Sequence, residues 1–419
     1  VIDEVSAVQR RTVMVLSGAQ VLGGLGVGAG VAASGLIAVQ VSGTESVAGL
    51  ASTTTVLGAA LAAVPLASLT RSRGRRTGLS AGMLTGCLGA VLVVTGVRLG
   101  LLPLVLVGTL VAGAANASGL QARYAATDLA TPEHAAGALS LVVWAATIGS
   151  VLGPNLIGIG SRIGQTVGVP GLGGCYVISA ITFACAALVL WTRLRPDPLL
   201  LARATRGEPS PARAAGGGAK EAWKVIGADR NARLGLVAVA LGHATMISVM
   251  VMTPVHMAHA DVSVTIIGLV ISVHILGMFA FSPLVGAASD RFGRHSVLLT
   301  GAGLLLAAAV VVGLAEPHTS TAMGSGLFLL GLGWSCTLIA GSALLSESVP
   351  AVVRQEVQGV SDMTMNLCGA LAGALAGGVV AVLSYGWLAL FAGAAVLPLT
   401  VFAWPRSTPR NRAPSAPAD

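Results

Sequence analysis

Charge is scarce in this sequence. Charged residues make up 10% of the 419 positions, against about 25% in an ordinary soluble domain. Aromatic residues are also few, at 4%, and lysine is nearly absent: Lys220 and Lys224 are the only two among 24 basic residues. The five cysteines (Cys87, Cys175, Cys185, Cys336, Cys368) form no C-x-x-C pair and lie within or beside apolar stretches. That excludes a disulfide scaffold and a zinc ribbon. Gly23 to Gly30 is rich in glycine but lacks the lysine and the preceding strand of a phosphate loop, which argues against nucleotide hydrolysis. No acid, base and nucleophile cluster together, so a membrane-embedded enzyme is not expected. No large polar segment is present to carry a signal, and no cleavable signal peptide is expected.

Apolar residues are what remain. They fill 54% of the chain, and the mean hydropathy is +0.85. A soluble fold of this length cannot hide that many apolar side chains and still present a polar surface. Runs long enough to cross a bilayer, about 20 residues each, fall near 12–38, 46–69, 77–97, 99–121, 135–159 and 172–192. Six more follow, near 234–257, 264–288, 296–315, 321–346, 357–382 and 386–404. The runs are continuous rather than alternating, so the fold class is all-α, with twelve transmembrane helices. The expected organisation is a six-helix bundle over 1–192, a linker over 193–233, a second six-helix bundle over 234–404 and a disordered tail over 405–419. Pro196, Pro198, Pro209, Pro211 and Gly216 to Gly218 mark the linker, with a short surface helix expected around Lys220–Lys224.

The basic residues choose an orientation. With the N-terminus inside, 22 of the 24 fall on the inner side and only Arg98 and Arg162 fall outside. The positive-inside rule then places both termini in the cytoplasm. It also accounts for the isoelectric point of about 9.9 without a nucleic-acid partner.

The two halves repeat. Span two ends in Pro65-Leu66 followed by Arg71-Ser-Arg-Gly74-Arg75, and span eight ends in Pro283-Leu284 followed by Asp290-Arg291-Phe-Gly293-Arg294. Span five opens at Gly137 after Pro132, and span eleven opens at Gly359 after Pro350. The second half is a parallel copy of the first, as in transporters whose site lies at the repeat interface. The stretch Gly286-Ala-Ala-Ser-Asp290-Arg291-Phe-Gly293-Arg294 resembles the G-x-x-x-D-R-x-G-R gating loop of the major facilitator superfamily. Gly149-Ser-Val-Leu-Gly153-Pro154 is similar to a motif common in its exporters. The resemblance implies a secondary transporter that works by alternating access in a bacterial cell membrane, without ATP, as a monomer. Asp290, Arg291, Gly293 and Arg294 are the expected gating residues: the acid would bond a neighbouring helix N-terminus while the arginines anchor at the inner leaflet. Arg71 stands where the first-half loop would carry that acid.

Polar residues inside spans are functional candidates. Asp362 is the carboxylate deepest in a span, with Asn366 one turn on; the first-half equivalents are Ser140 and Trp144. Asp362 is a candidate proton carrier or counter-charge. Spans seven and eight hold an unusual set: His243, Met246, Met250, Met252, His256, Met257 and His259, then His274 and Met278. At 100° per residue, His243, Met246, Met250 and Met257 share one face. Thioether and imidazole are ligands for Cu(I). The pairs Met246-x-x-x-Met250 and His274-x-x-x-Met278 also resemble the motifs of the superfamily's bacterial copper-importing branch, which would make these four residues the metal path. No resident cofactor is expected; copper would be cargo. The alternative is a small organic molecule, a vitamin such as riboflavin or an exported drug, held by residues such as Trp144, Trp334 and Asn366.

Overall fold

A computed structural model describes residues 2–43, 47–206 and 218–403. The tail expected over 405–419 lies outside the described residues. No strand occurs among those described. The helices in order are α1 (Ile2–Ser42), α2 (Ala48–Arg73), α3 (Arg75–Leu99), α4 (Leu102–Ala125), α5 (Ala135–Asn155), α6 (Ile157–Thr166), α7 (Gly174–Arg193) and α8 (Pro198–Thr205). They continue as α9 (Gly218–Ala228), α10 (Arg230–Ala258), α11 (Val264–Phe279), α12 (Ser282–Phe292), α13 (Arg294–Leu314), α14 (Ser320–Glu347), α15 (Arg354–Val382), α16 (Tyr385–Ala394) and α17 (Leu397–Phe402). Among the described residues, twelve segments are long and apolar enough to cross a membrane.

Three expected spans are broken. The run 264–288 divides into α11 and α12, where Pro283 sits in the first turn of the second helix. A proline there lacks only an N–H that has no helical partner anyway, so a new helix starts at little cost. The run 135–159 ends α5 at Asn155 and restarts as α6, and the last span divides into α16 and α17. The expected surface helix around Lys220–Lys224 is α9.

Spans also run longer than their apolar cores. α15 has 29 residues, about 44 Å of helix at 1.5 Å per residue, against a hydrocarbon layer of about 30 Å. Its first turns, at the arginine-rich end, carry the polar contacts of Gln355, Glu356 and Gln358.

The first six spans share one apolar core, built from residues such as Leu16, Ile37, Leu79, Val93, Phe183 and Leu190. A second core fills the other six and also takes in Ala136, Leu139 and Val143 of α5. Small residues bring the helices together. α1 meets α5 backbone to backbone, and a Cβ on Gly149 would lie 2.6 Å from Gly24 Cα. Across the seam between the two sets, α2 packs on α15 and α5 packs on α12. A Cβ on Gly286 would lie 2.6 Å from Ser140 Cβ, and one on Gly359 would lie 3.0 Å from the Ala63 carbonyl oxygen. The same close approach therefore occurs at both repeat-related seams.

The α1–α5 contact gives a first prediction. Gly149→Leu forces these backbones apart and destabilises the protein by at least the 1–3 kcal/mol typical of overpacking, about, read as a lower melting temperature in detergent. Gly158→Ala, a position with open space around it, leaves the melting temperature unchanged.

Candidate functional site

The deepest polar group on the seam is an ion pair. Arg123, near the end of α4, donates from Nη2 to Asp362 Oδ1 of α15 at 2.6 Å, and both side chains are 1% exposed. Arg123 also donates to the Leu120 carbonyl (2.6 Å), Ser342 Oγ of α14 (3.2 Å) and the Tyr124 hydroxyl (3.2 Å). One guanidinium thus ties α4 of the first set to α14 and α15 of the second. Asp362 Oδ2 and the neighbouring Ser361 hydroxyl are buried without a hydrogen-bond partner. Asn366 turns its amide back to the Asp362 carbonyl at 2.7 Å, so that donor serves its own helix.

An aromatic group lies beside this pair. The Trp334 indole N–H donates to His243 Nδ1 at 3.1 Å, which places the proton of a neutral His243 on Nε2. Phe279 meets the Trp334 ring edge-on at 5.6 Å. A Cβ on Gly369 of α15 would lie 2.9 Å from His243 Nε2. His243 therefore reaches toward both α14 and α15.

The methionine face of α10 runs between two contact stripes. Gly235 and Gly242 meet α14, while Ile247 meets Gly369 and Gly373 of α15. His243, Met246 and Met250 fall between them. Met246 and Met257 are buried, and Met250 is half-buried against the same apolar core. His274 is different. It sits in the α11–α14 seam, fully buried, with Nδ1 on the Leu327 carbonyl at 2.8 Å. Its Nε2 is buried without a partner. Met278, on the next turn, is half-buried in the same core. The two sequence pairs thus address different seams, and α10 and α11 touch only slightly. The sequence treated spans seven and eight as adjacent walls of one site; α10 instead packs mainly on α15 and α14, and α11 packs mainly on α14. Among the described residues, no three His, Cys, Asp or Glu side chains gather as a metal site.

Trp144 stands apart. It is 42% exposed, alongside Leu141 and Ile148, on a face of α5 turned away from the Gly149–Gly24 contact. Its repeat partner Asn366 is buried, so the sequence equivalence does not carry over to a shared environment.

The loop at Asp290 bridges the seam. Asp290 accepts from the backbone N–H groups of Ala136 (3.0 Å) and Gly137 (2.7 Å) at the start of α5, as expected of an acid at a helix N-terminus. Arg294 does not face the lipid headgroups as anticipated. It is 10% exposed on its side chain and donates to Asp290 (2.7 Å), Glu347 (2.8 Å) and the Pro132 carbonyl (2.7 Å). A guanidinium with five donors is satisfied by acceptors that converge here, so it turns inward. Arg291 is exposed, over the Phe292 ring. Gly293 and Gly74 both hold φ +89, a backbone region that disfavours any side chain, so both loops need glycine.

The first-half loop makes the matching ion pair by other means. Arg75 binds Asp128 at 2.8 and 3.1 Å and donates to Gln358 of α15 at 2.9 Å. Arg71 pairs with Glu356 of α15. Sequence reasoning placed Arg71 and Arg75 in the repeat-related loop without partners and counted Arg123 only as inner-side charge. The signal for Arg123 was available: a buried Asp362 requires a nearby cation, and Arg123 closes the apolar run of span four.

These contacts share one end of the molecule. The hydrogen bonds and ion pairs through which Arg71, Arg75, Arg123, Arg203, Asp290 and Arg294 join the two sets of spans all lie toward the arginine-rich end. Burial agrees. All eight residues from Gln355 to Asp362 of α15 are buried, so the helix is enclosed on every side there, whereas beyond Gly369 only Ala376 is buried.

The buried pair yields a second prediction. Asp362→Ala leaves Arg123 buried without its counter-charge and costs about 3–5 kcal/mol, whereas the double change Arg123→Met with Asp362→Leu recovers most of that loss. Thermal unfolding of the purified variants measures both.

Comparison with known proteins bears on the same architecture. The family model of the Major Facilitator Superfamily matches residues 16–263 and 234–419. The uncharacterised transporter YdeG of Bacillus subtilis is 37% identical over 408 residues, covering 96% of this chain and 94% of that protein. The riboflavin transporter RfnT of Brucella anthropi is 28% identical over 356 residues, 85% of each chain. Among solved structures, the proton:xylose symporter XylE superposes with a TM-score of 0.74 at 16% identity, over 95% of this chain and 96% of that one. Two tandem six-helix sets, a closed loop at Asp290 and a family model matched from Leu16 to Asp419 lead to one conclusion: the chain belongs to the Major Facilitator Superfamily.

Proposed function

We propose that this protein carries a small organic solute across the bacterial cell membrane by alternating access, with the arginine-rich end in the cytoplasm. The observation that carries the reading is the one-sided closure of the seam. Contacts confined to one end can break and reform as the two sets rock, while the centre stays in place. The groups at that centre suit a flat solute with polar edges. Trp334 and Phe279 offer aromatic surface, His243 a polar edge, and Arg123–Asp362 a charged floor. The relative RfnT is a riboflavin transporter by name, and riboflavin is a solute of that kind.

Copper is the second reading, and His274 favours it. An imidazole whose Nδ1–H is held by a backbone carbonyl presents a fixed Nε2 lone pair, the arrangement common among metal ligands. Met278 lies one helical turn away.

One experiment separates the two. Purified protein in liposomes is given riboflavin as a heteroaromatic probe or Cu(I) as the metal probe. The organic reading expects Trp334→Ala to cut riboflavin uptake about tenfold, in line with loss of a binding anchor. It expects the combined change Met246→Leu, Met250→Leu, His274→Gln and Met278→Leu to leave that uptake within about twofold, methionine-to-leucine swaps conserving volume. Copper uptake that the four-residue change abolishes, with no riboflavin uptake by the unmodified protein, overturns the organic reading in favour of copper.

A further inference from the structure

The segment that follows span six adds a feature that the transporter reading does not use. α8 opens with Asp197 as its N-cap, whose carboxylate accepts from Leu199 N–H (3.1 Å) and Leu200 N–H (3.2 Å). The same carboxylate accepts from Arg76 N–H at 2.8 Å, at the start of α3. It rests on the turn at Gly74, where a Cβ would lie 2.7 Å from Asp197 Cγ. One acid thus caps two helices. It also fills the loop in which the first half carries Arg71 in place of an acid, so a carboxylate from the linker occupies that turn. Its counterpart Asp290 instead reaches over the seam to α5. Asp197 stays within its own half, and the crossing falls to another residue of α8.

That residue is Arg203. It is 8% exposed, donates from Nη1 to the Arg71 carbonyl at 2.8 Å, and donates from Nη2 to Gln355 Oε1 of α15 at 3.0 Å. The Arg71 carbonyl belongs to the last turn of α2, where a cation complements the helix dipole. One residue along α15, Glu356 pairs with Arg71. Just after α8, Arg206 donates to the Asp128 carbonyl at 3.1 Å. α8 therefore has three anchors on the first half, at Arg76, Arg71 and Asp128, and one contact on the second, at Gln355.

We infer that α8 is a strap that holds the arginine-rich end shut, and that Arg203 is the positioning residue that carries it across to Gln355. When the halves separate, the contact to Gln355 and the Arg71–Glu356 pair break together, while the anchors at Arg76, Arg71 and Asp128 travel with the first half. A charge-assisted hydrogen bond present in only one of two states biases their ratio. Arg294 spans the other seam in the reverse sense, from the second half to the Pro132 carbonyl.

The test reads the motion without any solute, so its outcome is independent of which cargo the protein carries. The full chain, with its native cysteines replaced, is spin-labelled at Ser72 and Val352, exposed positions on either side of the seam. It is placed in lipid nanodiscs, and pulsed electron resonance gives the distance distribution. Arg203→Ala is expected to raise the ratio of separated to closed molecules about tenfold, the loss of one charge-assisted bond. Asp197→Asn shifts it in the same direction, because α8 loses its anchor. Arg203→Lys, which keeps one donor, falls between. Leu200→Ala, an exposed position on the same helix, matches the unmodified chain. Distributions for Arg203→Ala and Asp197→Asn that superimpose on the unmodified chain overturn the inference. So does a Leu200→Ala shift as large as that of Arg203→Ala.

Discussion

A charge far from water needs a partner, and the Arg123–Asp362 pair is where that requirement is met. Neither ion is tolerable alone at 1% exposure, and each belongs to a different half of the molecule. The pair therefore does two jobs at once. It makes the closed seam electrostatically complete, and it makes opening the seam depend on what replaces the lost partner. The unpartnered Asp362 Oδ2 shows that even the closed arrangement leaves one acceptor unsatisfied. A site built this way is poised rather than locked, which suits a protein that must pass between two states.

Around that pair the two seam loops are symmetric in design and asymmetric in detail. Arg75–Asp128 and Arg294–Glu347 are repeat-related ion pairs on the two sides of the seam. On one side Asp290 caps α5 directly. On the other the loop carries Arg71, which meets Glu356, and the acid comes from Asp197 on the linker. The two repeat-related loops thus hold acids from different parts of the chain, and those acids cap different helices: Asp290 caps α5 across the seam, Asp197 caps α3 and α8 within its own half. Exposed ion pairs contribute little to stability. The two that cross between the bundles, Arg123–Asp362 and Arg71–Glu356, are buried on at least one side, so their effect falls on the balance between states.

The methionine and histidine residues show where residue spacing stops being informative. Helical periodicity placed His243, Met246 and Met250 on one face, and the structure keeps them on one face between the α14 and α15 contacts. Adjacency in sequence then suggested that span eight closes the same site. The order of spans around a bundle is a tertiary property, and α14 lies against both α10 and α11, which scarcely touch each other. His274 accordingly turns into the α11–α14 seam. The equivalence of Trp144 and Asn366 does not extend to burial, for a related reason. A repeat preserves the course of the backbone more closely than it preserves which face each helix buries.

The sequence by itself determined the twelve spans, the duplication and the acidic cap at Asp290. Each follows from local physics: the length of apolar runs, the recurrence of Pro-Leu before a basic turn, and the attraction of a carboxylate to a helix N-terminus. Arg123 was legible only as one more inner-side charge, because its meaning comes from a carboxylate 239 residues away. Asp197 and Arg203 looked like linker residues, because nothing local distinguishes a strap from a spacer. Partner choice among buried charges, helix order around the bundle, and which end of the seam is closed were decided by the tertiary structure alone. They depend on where distant segments meet, and only packing sets that.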